Sequence, residues 1–116
     1  MDERRKFIRI PEQAEISFRV LPNPKSAMFF TKDIGQGGIR FFVSECVPQN
    51  SLMEIRLTLK DIPFSFKAIV KVKWIKKEAY ADRYEIGVEF VNITKEASDH
   101  LIRYIQTATK RTKDKL

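Results

Sequence analysis

Apolar and polar residues alternate along most of this chain, and the period of the alternation changes once, near Thr94. Ala14, Ile16, Phe18 and Val20 alternate with Glu15, Ser17 and Arg19. A period of two sends successive side chains to opposite faces, so this stretch predicts a half-buried strand. Ala27 to Lys32, carrying Met28, Phe29 and Phe30, predicts a second strand, and Ile39 to Ser44 a third. Leu52 to Lys60 alternates again, with Met53, Ile55, Leu57 and Leu59 on one face. Phe64 to Lys76 is the longest run. It sets Phe66, Ala68, Val70, Val72 and Trp74 against Lys67, Ile69, Lys71, Lys73 and Ile75. Tyr84, Ile86, Val88 and Phe90 close the series against Glu85, Gly87 and Glu89. Gly87 inside a strand predicts a bulge or a close backbone approach. Acidic and basic outer faces on these last two strands predict cross-strand charge pairs.

From Thr94 the spacing becomes helical. Thr94 is a good N-cap, with Glu96 and Asp99 in the first turns, where the helix dipole favours negative charge. Ala97, Leu101, Ile105 and Ala108, with Ile102, form one apolar stripe. This predicts an amphipathic helix of about four turns. Its apolar face needs cover, from the sheet, the open end of a barrel or a second copy of the chain. The pattern therefore gives an all-β, β-rich fold: six strands in an antiparallel barrel or sandwich, with one C-terminal α-helix. Residues 1–13 form a basic N-terminal arm broken by Pro11, residues 14–109 the folded body, and residues 110–116 a disordered basic tail.

Composition narrows the class. A chain of 116 residues suits one domain with its own core, and nine Phe with 43% hydrophobic residues supply that core. The single Cys, Cys46, rules out an intramolecular disulfide and reads as core filler in a reducing compartment. The charged start with no apolar run after it predicts no signal peptide, and no run is long enough to span a bilayer. The expectation is a soluble cytoplasmic protein. A net charge of +7 favours anionic partners without choosing among them. Lys67, Lys71 and Lys73 have a plain explanation as the solvated face of a strand. That leaves single-stranded nucleic acid as a disfavoured partner.

Enzyme chemistry finds little to stand on. His100 is the sole histidine and sits on the helix among polar residues. One His and one Cys do not make a metal site. Walker-type loop, dinucleotide fingerprint and nucleophile elbow are all missing. The distinctive stretch is Asp33-Ile-Gly35-Gln-Gly37-Gly38, where three of the four glycines cluster between two strands. It reads as a tight turn, with positive φ open to its glycines and backbone N–H groups able to converge on an anion. Asp33 beside it is an acceptor for a planar donor, either a guanidinium or a guanine edge. A plain hairpin turn with Asp33 bonding its own backbone is the alternative reading. In the arm, Arg5 and Arg9 share one side of an extended chain, roughly 13 Å apart.

Arg5-Lys-Phe-Ile-Arg9, then a strand, then Asp33-Ile-Gly35-Gln-Gly37-Gly38 resembles the PilZ family of bacterial cyclic di-GMP receptors. The family pattern is Arg-x-x-x-Arg followed by Asp or Asn, any residue, Ser or Ala, two of any kind, and Gly. The likeness covers roughly residues 3–106. It implies a six-stranded antiparallel β-barrel with a helix at its mouth and a non-catalytic receptor that changes conformation and signals to an effector protein. It also implies site residues. Arg5 and Arg9 would clamp phosphate and meet guanine, Asp33 would accept from a guanine edge, and Gly38 would set the backbone. Arg4 stands where a basic residue accompanies an intercalated ligand dimer in the family. Gly35 departs from the pattern, replacing the usual hydroxyl. No other cofactor is implied. A degenerate protein-interaction module of the same fold, no longer binding nucleotide, is the competing expectation.

Overall fold

The computed structural model describes residues 9–59 and 64–114. Seven strands precede one helix: β1 (Arg9–Ile10), β2 (Glu15–Val20), β3 (Ala27–Gly35), β4 (Gly38–Val43), β5 (Leu52–Leu59), β6 (Phe64–Lys77), β7 (Tyr84–Asn92) and α1 (Lys95–Asp114). All pairings are antiparallel. Six strands run in the order β3-β2-β5-β6-β7-β4, and β4 pairs back with β3. The sheet therefore closes on itself, and the barrel alternative is the one realised. The short β1 lies outside this ring and pairs with the far end of β3, Arg9 opposite Gly35 and Ile10 opposite Ile34.

Closure follows from the alternation. Ile16, Ile34, Ile39, Phe41, Met53, Ile55, Leu57, Val70, Val72 and Ile86 are all buried in one core. Phe18 and Phe41 meet inside it with ring centroids 5.3 Å apart. Helix α1 adds Ala97, Leu101, Tyr104 and Ile105 to the same core and lies against β1. Thr94 caps it, its Oγ1 accepting the Ala97 N–H at 3.1 Å. His100 stacks on Phe64 at 4.0 Å between ring centroids.

The structure corrects several expectations. Trp74, placed with the inward face, is 39% exposed. A register shift between Val72 and Trp74 inserts an extra residue in β6, and one residue of slip turns a side chain to the other face. Trp74 then lies over Gly87, where an added Cβ would stand 2.4 Å from the indole ring. Gly87 thus marks both a bulge and a close approach. None of the four glycines has positive φ, so the requirement for glycine in the β3–β4 turn is one of space, and it falls on Gly38. At Gly38 a Cβ would fall 2.1 Å from the Val88 carbonyl oxygen. Cys46 is exposed, because β4 ends at Val43 and Val47 takes the buried place in the loop. The helix continues to Asp114, through the first part of the expected tail. Extending a formed helix by residues such as Lys and Arg is far easier than nucleating one. Among the described residues no helix is long and apolar enough to cross a membrane.

Candidate functional site

The site is built on the last three residues of β3. Between Thr31 and Asp33 the register of β3 against β4 shifts, leaving Lys32 as an extra residue. Beyond the bulge Asp33 sits directly opposite Arg40 of β4. On its other edge β3 receives β1, which sets Arg9 opposite Gly35. Arg9 is thus the diagonal neighbour of Asp33, and Gly35 between them presents no side chain.

Asp33 is buried, and a buried carboxylate must be paired. Its Oδ1 accepts Arg9 Nε at 3.1 Å and Nη2 at 2.7 Å. Its Oδ2 accepts Arg40 Nε at 2.5 Å and is also in contact with Arg40 Nη2. Two guanidinium forks from two different strands therefore share one carboxylate. The chain of charge continues on the other side. Arg40 Nη1 lies 3.5 Å from Glu85 Oε2 on β7, and Lys32 Nζ lies 3.4 Å from the same oxygen. The expected pairing of Glu85 with the lysines of β6 does not take this form. Lys76 is its register partner, yet the ion contacts of Glu85 run to Lys32 and Arg40. The hydrogen bond to Asp33 raises the Arg40 pKa above its ordinary value, against an opposing effect of burial. Arg40 is cationic at any pH the fold meets.

A clip anchors the segment between β1 and β2 beside this cluster. Thr31 Oγ1 accepts the Ala14 N–H at 2.9 Å and donates to the Glu12 carbonyl at 2.5 Å. A groove of about 490 Å³ opens next to it, with Pro11, Phe30, Lys32, Phe42 and Arg83 in its walls. There the Arg83 guanidinium lies 3.9 Å over the Phe42 ring.

Of the sequence-derived candidates, Arg9, Asp33, Gly35 and Gly38 come together at this end of β3 and β4. Arg4 and Arg5 lie outside the described residues. The alternative in which Asp33 bonds its own backbone is not what forms: its carboxylate partners are the two arginines. Arg40 was not singled out from the sequence. Its signal was the hairpin itself: Arg40 alternates with the inward Ile39 and Phe41, and folding the turn about Gly35–Gly38 brings it opposite Asp33. Among the described residues no group of His, Cys, Asp and Glu is arranged to hold a metal.

The PilZ domain family model matches residues 3–107. No curated protein matches the chain in sequence. Solved structures match its fold. The inhibitor of motility MotI/DgrA of Bacillus subtilis superposes with a TM-score of 0.81 at 12% identity, over 95% of this chain and 53% of that one. MrkH of K. pneumonia in its apo state gives a TM-score of 0.81 at 18% identity, over 100% of this chain and 55% of that one. The PilZ domain of Escherichia coli YcgR, solved with cyclic di-GMP, gives 0.71 at 15% identity, over 97% of this chain and 96% of that one. The chain thus spans about half the length of MotI/DgrA and MrkH, and nearly all of the isolated YcgR domain.

Proposed function

Because the chain belongs to the PilZ domain family, we propose that it is a non-catalytic receptor for cyclic di-GMP that changes conformation on binding and signals to a partner protein. The observation that carries this reading is the meeting of the two motifs. Arg9 of the first reaches Asp33 of the second across 24 residues of sequence. Arginine suits both halves of the ligand, since its planar fork bonds phosphate and its face stacks on bases. Asp33 suits the guanine edge, which offers adjacent N–H donors. Arg4 and Arg5 complete the proposed ligand set, with Gly35 and Gly38 shaping the backbone. Support for the ligand comes also from the YcgR domain, which was solved with it.

The conformational part rests on β1. Among the described residues it is held to β3 by the pairing of Arg9 and Ile10 and by the Arg9–Asp33 contact, and it lies against α1. A ligand that takes over Asp33 loosens that contact and alters how the arm sits on the helix.

Two observations favour a second reading, a degenerate interaction module. Gly35 stands where the family has a hydroxyl, and the Asp33 carboxylate already has a guanidinium on each oxygen. The first is a modest handicap. One hydrogen bond is worth about 0.5–1.5 kcal/mol, a few-fold to about tenfold in affinity.

Calorimetric titration with cyclic di-GMP, with cyclic di-AMP as control, separates the readings. The receptor reading expects saturable, guanine-selective binding at micromolar ligand or below, lost in Arg9→Ala and weakened, but still measurable at high ligand, in Asp33→Ala. No heat and no thermal shift at high micromolar ligand would refute it and leave the interaction module.

A further inference from the structure

We propose that Arg40 is a positioning residue of the cyclic di-GMP site, holding Asp33 by Oδ2 so that a guanine edge takes over Oδ1 from Arg9. This rests on the receptor reading above. It assigns distinct parts to two arginines that look alike in the ligand-free protein.

The asymmetry lies in what holds each guanidinium. Arg40 belongs to a six-residue strand paired on both sides, with β3 and with β7. Its Nε and Nη2 face Asp33 while its Nη1 faces Glu85, itself largely buried. For Arg40 to leave, it must give up contacts with two carboxylates on two barrel strands. Arg9 belongs to β1, which lies outside the ring and pairs with β3 alone among the described strands. Its side chain is 43% exposed, and Asp33 is its one carboxylate partner among the described residues. Both of its bonds run to Oδ1. Arg9 is the exchangeable donor and Arg40 the fixed one.

The donors match chemically. Arginine Nε–H and Nη2–H are two neighbouring donors on a rigid plane. Guanine N1–H and its exocyclic amino group are another such pair, whereas adenine has no donor at N1. Substituting one planar pair for the other leaves Asp33 charge-paired throughout, because Arg40 never lets go. A buried carboxylate stripped of both cations would carry a heavy desolvation penalty. Arg40 removes that penalty from the binding step, and it fixes the carboxylate plane against which a base is read. The freed Arg9 is then available to the ligand phosphates.

The test is a set of titrations on wild type, Arg40→Ala, Arg40→Lys, Asp33→Ala and the Asp33→Ala/Arg40→Ala double variant. Each is checked first for a cooperative melt. The probes are cyclic di-GMP and the inosine cyclic dinucleotide, which lacks the amino group. Arg40→Ala is expected to weaken cyclic di-GMP binding about 10- to 100-fold, the loss of a charge-assisted contact. It should also collapse the preference for guanine over inosine, which a merely structural role would leave intact. Arg40→Lys, with the charge but no fork, should fall between. Because Arg40 acts through Asp33, the double variant should be no worse than Asp33→Ala alone. Additive losses, an unchanged guanine preference, or tighter binding by Arg40→Ala would each overturn the assignment while leaving the receptor reading in place. Wild type that binds neither probe overturns both. If Arg40→Ala does not fold, Arg40→Gln, a shorter polar side chain with neither the charge nor the guanidinium fork, carries the same comparison.

Discussion

A methyl group at position 38 has nowhere to go. It would sit 2.1 Å from the Val88 carbonyl oxygen, on a neighbouring strand of the closed barrel. Backbone has to move to admit it, and overpacking of this kind costs about 1–3 kcal/mol or more. At position 87 the obstacle is the side chain of Trp74, which is partly exposed and can turn away. Gly38→Ala should therefore lower the melting temperature by several degrees, and Gly87→Ala clearly less, with a change in tryptophan emission instead. Thermal melts followed by fluorescence check both. Thr31 is a second sensitive residue. Its hydroxyl serves the Ala14 N–H and the Glu12 carbonyl at once. Thr31→Val should cost about 1–3 kcal/mol in urea unfolding and speed amide exchange at Ala14. At this scale the sequence was partly legible. Arg9 and Asp33 stood out because each sits in a recognisable spacing. Arg40 did not, because its role exists only once the hairpin register sets it across from Asp33. Positive φ was expected of the clustered glycines because φ is local, whereas the steric need at Gly38 comes from Val88, 50 residues away.

The elements themselves were written plainly in the alternation, and the misplacements occur where the alternation is interrupted. Strand β6 reads as continuous from Phe66 to Trp74, yet the bulge after Val72 turns the indole outward. Nothing in the residue types at 72–74 marks the extra residue; Gly87 on the facing strand is the trace it leaves. Trp74 should accordingly emit to the red of a buried indole and be readily quenched by acrylamide. Emission typical of a dry core would contradict the register. The helix shows the reverse case. Its start was legible from Thr94, whose hydroxyl caps Ala97. Its end was not, because Lys110–Asp114 follows no apolar stripe and is carried by the turns before it. Thr94→Ala should remove about 1 kcal/mol of stability by denaturant titration.

Across the whole molecule the positive charge is spread rather than gathered. Lys67 and Lys73 are exposed on β6, away from the Asp33 cluster on β3 and β4. If the ligand is a cyclic dinucleotide held at that cluster, replacing Lys67 and Lys73 by Gln should leave its affinity within about twofold. A protein binding nucleic acid along the lysine face would instead lose affinity steeply, with a shallower salt slope. Closure of the sheet has a consequence of its own. An open sheet can twist and splay, but in a closed one strand number, tilt and stagger are locked together, so no single ladder can give way alone. The ring therefore has almost no soft degree of freedom in which two states could differ. If ligand binding changes the conformation of this protein, the change falls outside the ring, in β1 and α1. These elements come from opposite ends of the sequence and touch each other. A partner that read such a change would have to grip that seam rather than the barrel wall.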